Sequence, residues 1–269
     1  MEAMVEKAKH RGPDGKGIWG DEFITLGHNL LSIVDTPPQS SQPWHTESHV
    51  MVYNGEIYNY RELRSKVGGD FVTGTDTEVL IRGYEKFGKE FFYECDGMFA
   101  AAIYNKRSKK LVLVRDSNGA KPLFYGQLNG KLAFSSEVSS LLELGFERKV
   151  SLDGFKHYYY SGLTAGPVTC FHGISRLIPG EIQEIDLSSG ARYVSNINDR
   201  PIEPFSSNES DIPFLLRDKL KQAVSMTLMG RREIGLFLSG GMDSSSVLYE
   251  MASSCLLYTS PSPRDATLS

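Results

Sequence analysis

The sequence predicts an α+β fold of layered short strands and intercalated helices, followed by the opening of a separate α/β unit. Three observations carry this. Between about Gly17 and Asp186, short apolar runs alternate with turn residues, as in a strand-rich domain. Between Tyr193 and Pro213 the composition shifts to Asn, Asp, Pro and Ser, with Pro201, Pro204 and Ser206-Ser207-Asn208, which reads as a linker. Beyond it, the apolar run Ile234–Leu238 leads at once into Ser239-Gly240-Gly241-Met242-Asp243-Ser244. Strand, glycine turn and helix in that order open an α/β domain.

The candidate strands are Phe23–Leu26, Val50–Tyr53, Ala100–Asn105, Leu111–Arg115, Leu123–Tyr125, Lys131–Ser135 and Glu181–Asp186, each a short β-branched or aromatic run bounded by turn residues. Helical spacing interrupts them at Tyr60–Val67 and at Thr77–Phe87, where Val79, Leu80, Gly83 and Tyr84 share a face. Asp76 is placed to cap the second helix, with Glu78 in its first turn. Ser151–Tyr160 is a weaker helical pattern. After the linker, Phe214–Met229 carries Leu216, Leu220, Ala223 and Thr227 at helical spacing, Ile234–Leu238 reads as a buried parallel strand, and a helix follows from Ser245.

Composition narrows the function. The chain has 269 residues, 40% hydrophobic and 23% charged, with a net charge of −4, an ordinary globular balance that argues against a nucleic-acid partner. No apolar run reaches the roughly 18 residues of a membrane span. The acidic N-terminus does not read as a signal peptide. Three scattered cysteines, Cys95, Cys170 and Cys255, support neither a disulfide framework nor a zinc cluster, so the expected compartment is the reducing cytoplasm.

The loop Ser239–Ser244 has the chemistry of a phosphate site. Glycines let the backbone approach an anion, while successive amides and a helix N-terminus bind it. No lysine follows the glycines, which separates it from the Gly-Lys-Ser/Thr phosphate loop. It resembles the pyrophosphate loop of ATP pyrophosphatases. That resemblance implies ATP as a ligand, Mg²⁺ held by Asp243, pyrophosphate on Ser239, Gly240, Gly241 and Ser244, and adenine against the backbone near Leu238.

Upstream, four segments occur in a fixed order: His10-Arg11-Gly12-Pro13-Asp14-Gly15, Leu31-Ser32-Ile33-Val34-Asp35, Asn54-Gly55-Glu56-Ile57-Tyr58-Asn59 and Gly74-Thr75-Asp76-Thr77-Glu78. Gly97-Met98-Phe99-Ala100, Arg115-Asp116 with Gly119 and Lys121-Pro122-Leu123, and Ser135-Ser136-Glu137 follow. Alone, Asn54-Gly55 reads as a hairpin turn and Asp76 as a helix cap. Together the set resembles the glutaminase domain of glutamine-hydrolysing asparagine synthetases. The resemblance implies an N-terminal-nucleophile-type αββα sandwich, with the start of the ATP-pyrophosphatase synthetase domain behind it.

It also implies roles. Amide hydrolysis passes through an oxyanion that needs donors fixed beforehand, the family role of the Asn side chain and Gly amide matching Asn54 and Gly55. Glu56 and Asp76 match the carboxylates that hold the α-ammonium of glutamine, and a strand at Leu31, Ser32, Ile33 and Val34 offers backbone groups. The implied reaction converts aspartate to asparagine with ATP, through an aspartyl-adenylate, taking its nitrogen from glutamine; the substrates are small molecules and the expected assembly is a homodimer.

Two positions depart from the family. Its nucleophile is an N-terminal Cys, whereas residue 2 here is Glu2, so the expectation is that Met1 is internal and that the piece by itself is inactive. The family's Arg before Leu-Ser-Ile, which pairs with the glutamine carboxylate, is Leu30 here, and Arg11 is the alternative cation. Leu30 also keeps a glutaminase-dead relative in view, as the shared two-domain plan keeps amidotransferases with other acceptors. At the other end, Cys255–Asp265 matches a translated transposase adapter of short-read DNA libraries and is set apart as an artefact. The expected organisation is a glutaminase domain over 1–192, a linker over 193–210, the start of the synthetase over 211–254 and the tail over 255–269.

Overall fold

A computed structural model describes residues 1–34, 41–199, 208–228, 230 and 233–254. Asp35, residues 200–207 of the linker, Met229 and the 255–269 tail lie outside these residues. The described residues up to 199 form one compact unit and those from 208 another.

The first unit runs α1 (Glu2–Lys7), β1 (Gly15–Gly20), β2 (Thr25–Leu30), β3 (Trp44–His45), β4 (His49–Ile57), α2 (Tyr60–Val67), α3 (Asp76–Phe87), β5 (Gly97–Asn105), β6 (Lys110–Arg115), β7 (Phe124–Leu128), β8 (Lys131–Ser135), α4 (Val138–Leu144), α5 (Leu152–Ser161), β9 (Ile174–Arg176), β10 (Glu181–Asp186) and β11 (Arg192–Asn196). Six strands form an antiparallel sheet in the order β11-β10-β6-β5-β4-β3; β1 and β2 pair separately, as do β8, β7 and β9. The alternating apolar face of the large sheet, with Val50, Ala100, Ala102, Tyr104, Leu111 and Leu113, packs on Leu26 of β2 and on Tyr125, Leu132 and Phe134 of the small sheet. Helix α3 covers the other face of the large sheet, burying Val79, Leu80 and Ile81. Met4 and Leu141 from α1 and α4 pack with Ala133 and Ile174 behind the small sheet. The layers are therefore helix, sheet, sheet, helix, an α+β sandwich as expected.

Several boundaries differ from the sequence reading. β2 runs over Thr25–Leu30 rather than Phe23–Leu26, because the Asp21 carboxylate takes the amides of Phe23 and Ile24 into a turn. Thr75, not Asp76, caps α3: its hydroxyl accepts from the Glu78 amide at 3.3 Å, and Asp76 becomes the first helical residue. β11 occupies 192–196, at the start of the compositional linker, because it adds to β10 as an edge strand. Asn54-Gly55 is no turn; it lies within β4, opposite Ala100 and Phe99.

The second unit holds α6 (Ile212–Thr227) and α7 (Met242–Ser254). The expected strand Ile234–Leu238 does not form. Its residues take no regular structure, and Phe237 is fully exposed. A parallel strand needs a ladder partner and two covered faces, and no strand is present among the described residues of this unit. Helix α7 begins at Met242, three residues before the expected Ser245.

Candidate functional site

A cavity of about 970 Å³ opens in the first unit between β2, the end of β4 and the start of α3. Of the residues singled out from sequence, Leu30, Leu31, Ser32, Ile33, Val34, Asn54, Gly55, Glu56 and Asp76 all line it. They come from three separate stretches of chain, brought together by the packing of β2 across β4 and of α3 behind it.

Asn54 places its side-chain nitrogen in the buried wall, where Nδ2 has no hydrogen-bond partner among the described residues. Gly55 is required by close approach: a Cβ there would come within 2.1 Å of the Met98 carbonyl oxygen on β5. Asp76 is 5% exposed; it accepts from the Tyr53 hydroxyl at 2.6 Å and from the Ile57 amide at 3.1 Å. Burial raises its pKa despite these donors. Glu56, also buried, is raised by desolvation and then by the Asp76 charge, while Lys121 works the other way. Two neighbouring carboxylates are thus held above their ordinary range, chiefly by burial.

The remaining landmarks build the walls. Glu137 accepts from His10 Nε2 at 2.9 Å and from Arg11 Nη1 at 3.2 Å, tying the first motif to Ser135-Ser136-Glu137. Arg115 donates to the carbonyls of Lys121 and Leu177, each at 2.6 Å, and to that of Gly119. Asp116 accepts from the amides of Phe99, Asn118, Ala120 and Lys121, so the 116–122 loop carries Lys121 to the cavity on a fixed frame. Glu78, fully buried, accepts from Val72, from the amide and hydroxyl of Thr73 and from Arg82, which fixes the loop before α3.

Two expectations need correction. Residues Leu31–Val34 are not a strand: the β1–β2 ladder ends at the Gly15–Leu30 pair. The Ser32 amide donates to Asp14 Oδ2 at 2.8 Å, so it is engaged within the protein. Arg11 lines the cavity, but its guanidinium is paired with Glu137. Leu30 is 6% exposed. Neither cysteine among the described residues lines the cavity; Cys95 donates to the Phe91 carbonyl, and burial pushes its thiol well above the usual range. The sequence reading named Lys121 only as a landmark and Tyr53 only as a strand residue, and it did not single out His28. His28 carried a signal, because a polar residue between Leu26 and Leu30 breaks the apolar face of a strand.

In the second unit, Ser239 and Ser244 face each other across the loop with hydroxyls 3.0 Å apart, and Gly240 has φ of +79°, open to any approaching atom. Asp243 sits in the first turn of α7. The glycines, the serine hydroxyls and the N-terminus of a 13-residue helix suit a phosphate chain. No cluster of three or more His, Cys, Asp or Glu residues occurs among the described residues, so Asp243 could hold Mg²⁺ only together with phosphate oxygens. Leu238 is more than half exposed.

Comparison with known proteins agrees with this picture. Residues 215–255 match the asparagine synthase family. Asparagine synthetase [glutamine-hydrolyzing] 1 of Bacillus subtilis is 31% identical over 92% of this chain and 40% of its own. Asparagine synthetase [glutamine-hydrolyzing] 2 of the same organism is 33% identical over 96% of this chain and 36% of its own. The chain thus spans about two fifths of these relatives. The glutamine phosphoribosylpyrophosphate amidotransferase of B. subtilis shares the fold, with a TM-score of 0.52 at 15% identity, over 98% of this chain and 66% of that one. Residues 1–194, which contain every wall of the cavity, match the glutamine amidotransferase domain, and the chain belongs to that family.

Proposed function

We propose that the cavity hydrolyses the side-chain amide of glutamine and that the protein carrying this chain uses the released ammonia to convert aspartate to asparagine at the expense of ATP. The observation that carries the reading is the unpartnered Asn54 Nδ2, buried beside two carboxylates of raised pKa. A buried donor without a partner is unfavourable unless a ligand supplies an acceptor. An oxyanion would supply one, with the Gly55 amide as second donor. The α-ammonium of an amino acid would pair with Glu56 and Asp76. Leu31, Ile33 and Val34 line the same space and would offer their backbone groups, and Ser32 does so with its amide already held by Asp14.

The loop Ser239, Gly240, Gly241 and Ser244 would hold the pyrophosphate of ATP, with Asp243 on its Mg²⁺ and the backbone at Leu238 toward adenine. Bound there, ATP supplies the adenylate leaving group that activates the aspartate carboxylate. The proposed organisation keeps residues 1–192 as the glutaminase domain and 211–254 as the start of the synthetase. No helix among the described residues is long and apolar enough to cross a membrane, and the reading takes the cytoplasm as the compartment.

The test supplies the protein carrying this chain with glutamine, aspartate and ATP and follows glutamate, asparagine and pyrophosphate. Stoichiometric formation of all three is expected, with glutamate lost in Asn54→Ala. Pyrophosphate release that ignores aspartate but responds to another acceptor would overturn the assignment.

A further inference from the structure

His28 belongs to none of the motifs above, yet it stands in the same cavity. On β2, Leu26, His28 and Leu30 alternate on one side of the strand; Asn29 points the other way, where its Nδ2 donates to the Val5 carbonyl at 2.8 Å. The His28 ring approaches β4 edge-on, with Nε2 3.1 Å from the carbonyl oxygen of Tyr53. That oxygen also receives Gln42 Nε2 at 3.0 Å. A carbonyl can only accept, so the network assigns the proton to Nε2 and leaves Nδ1 as a bare lone pair. Burial pushes the ring pKa down to about 4, which keeps the imidazole neutral near neutral pH.

Nδ1 is buried and has no hydrogen-bond partner among the described residues, and the same holds for Asn54 Nδ2. Both residues line the one cavity, and each carries a buried side-chain atom, an acceptor on His28 and a donor on Asn54, without a partner among the described residues. They are held to the same stretch of β4, since the carbonyl that anchors the ring belongs to the residue before Asn54. A primary carboxamide is complementary to this pair: its oxygen accepts and its nitrogen donates. A carboxylate is not, because both its oxygens only accept.

We infer that His28 is a further substrate-binding residue, whose Nδ1 accepts a hydrogen bond from the –NH₂ of the substrate carboxamide while Asn54 Nδ2 donates to its oxygen. The inference rests on the reading of the cavity as a glutamine site and gives that site its preference for amide over acid. The product glutamate would set a carboxylate lone pair against the Nδ1 lone pair, which favours its departure.

The test uses this chain, ¹⁵N-labelled in its histidine rings and asparagine side chains, titrated separately with glutamine and glutamate. With glutamine, the His28 Nδ1 resonance should move toward the hydrogen-bonded range together with the Asn54 side-chain signals, while Nε2 stays protonated; glutamate should leave Nδ1 unmoved. Calorimetry should show His28→Phe losing about tenfold in glutamine affinity with little change for glutamate, and His28→Gln, which keeps an acceptor, recovering part of the loss. If Asn54 responds to glutamine and Nδ1 does not, Nδ1 takes no part in binding and the inference is overturned while the site reading stands. If neither responds at saturating glutamine, the site reading falls and takes the inference with it. Should His28→Phe fail to fold, the resonance measurement and His28→Gln still decide.

Discussion

The Tyr53 hydroxyl donates to Asp76 Oδ2 at 2.6 Å, joining β4 of the large sheet to the first turn of α3. Both groups are nearly inaccessible. Through this bond the sheet that carries Asn54 and Gly55 is fixed to the helix that carries one of the two acids. Tyr53→Phe removes one donor from a buried carboxylate, which typically costs about 1–3 kcal/mol. Urea unfolding should show that loss, and glutamine binding should weaken with it; unchanged stability would mean that a water replaces the hydroxyl.

Glu56 and Asp76 both have raised folded-state pKa values, so their contribution to stability is present at low pH and is lost as pH rises through those values. A bound ammonium reverses the sign of the effect. Glutamine should therefore bind more tightly at about pH 7 than at about pH 4, where the carboxylates hold protons. Glu56→Gln should raise the melting temperature of the free chain at neutral pH while lowering glutamine affinity about tenfold or more. Calorimetry and thermal melts measure the two effects independently.

Glu85 provides the opposite case at the far end of β4. Burial pushes its pKa up, but hydrogen bonds from His49 at 2.9 Å, from Thr46 and from Ser48 at 2.8 Å outweigh this and bring it down to about 2. Its contribution is complete above the ordinary carboxylate range and is lost as pH falls through about 2. Glu85→Gln should lower stability at neutral pH by about 1–3 kcal/mol and flatten the acid limb of the stability curve. An acid limb shared by wild type and variant would assign it to other groups.

On the proposed reading Leu30 holds the position at which the resemblance expects an arginine for the glutamine carboxylate, and Arg11 is engaged with Glu137. Leu30→Arg should tighten glutamine binding by about one to two orders of magnitude. Ammonia-dependent synthesis by the protein carrying this chain, which bypasses the cavity, should not change. If glutamine already binds tightly to the wild type and Leu30→Arg adds nothing, Lys121 becomes the next cation to remove.

Gly55→Ala would drive a Cβ into the Met98 carbonyl on the paired strand, where the β4–β5 ladder prevents retreat. A loss of about 3 kcal/mol or more is expected in thermal unfolding, with glutamine binding abolished. A melt like that of wild type would show that the two strands can separate at this point.

By itself the sequence determined the layer type, the family resemblance and, of the polar residues that gather at the cavity, Asn54, Glu56 and Asp76, since turn residues, strand alternation and ordered motifs are local properties. Tertiary structure decided the rest. Asn54-Gly55 has the local chemistry of a turn, and only its pairing with Ala100 and Phe99 makes it a strand segment with a donor facing a cavity. His28 reads as one polar residue among apolar ones until the Tyr53 carbonyl fixes which ring nitrogen is bare. Ile234–Leu238 shows the converse: an apolar run has strand propensity, but a strand exists only where another strand takes its hydrogen bonds and other elements cover its faces, and the second unit provides neither among its described residues.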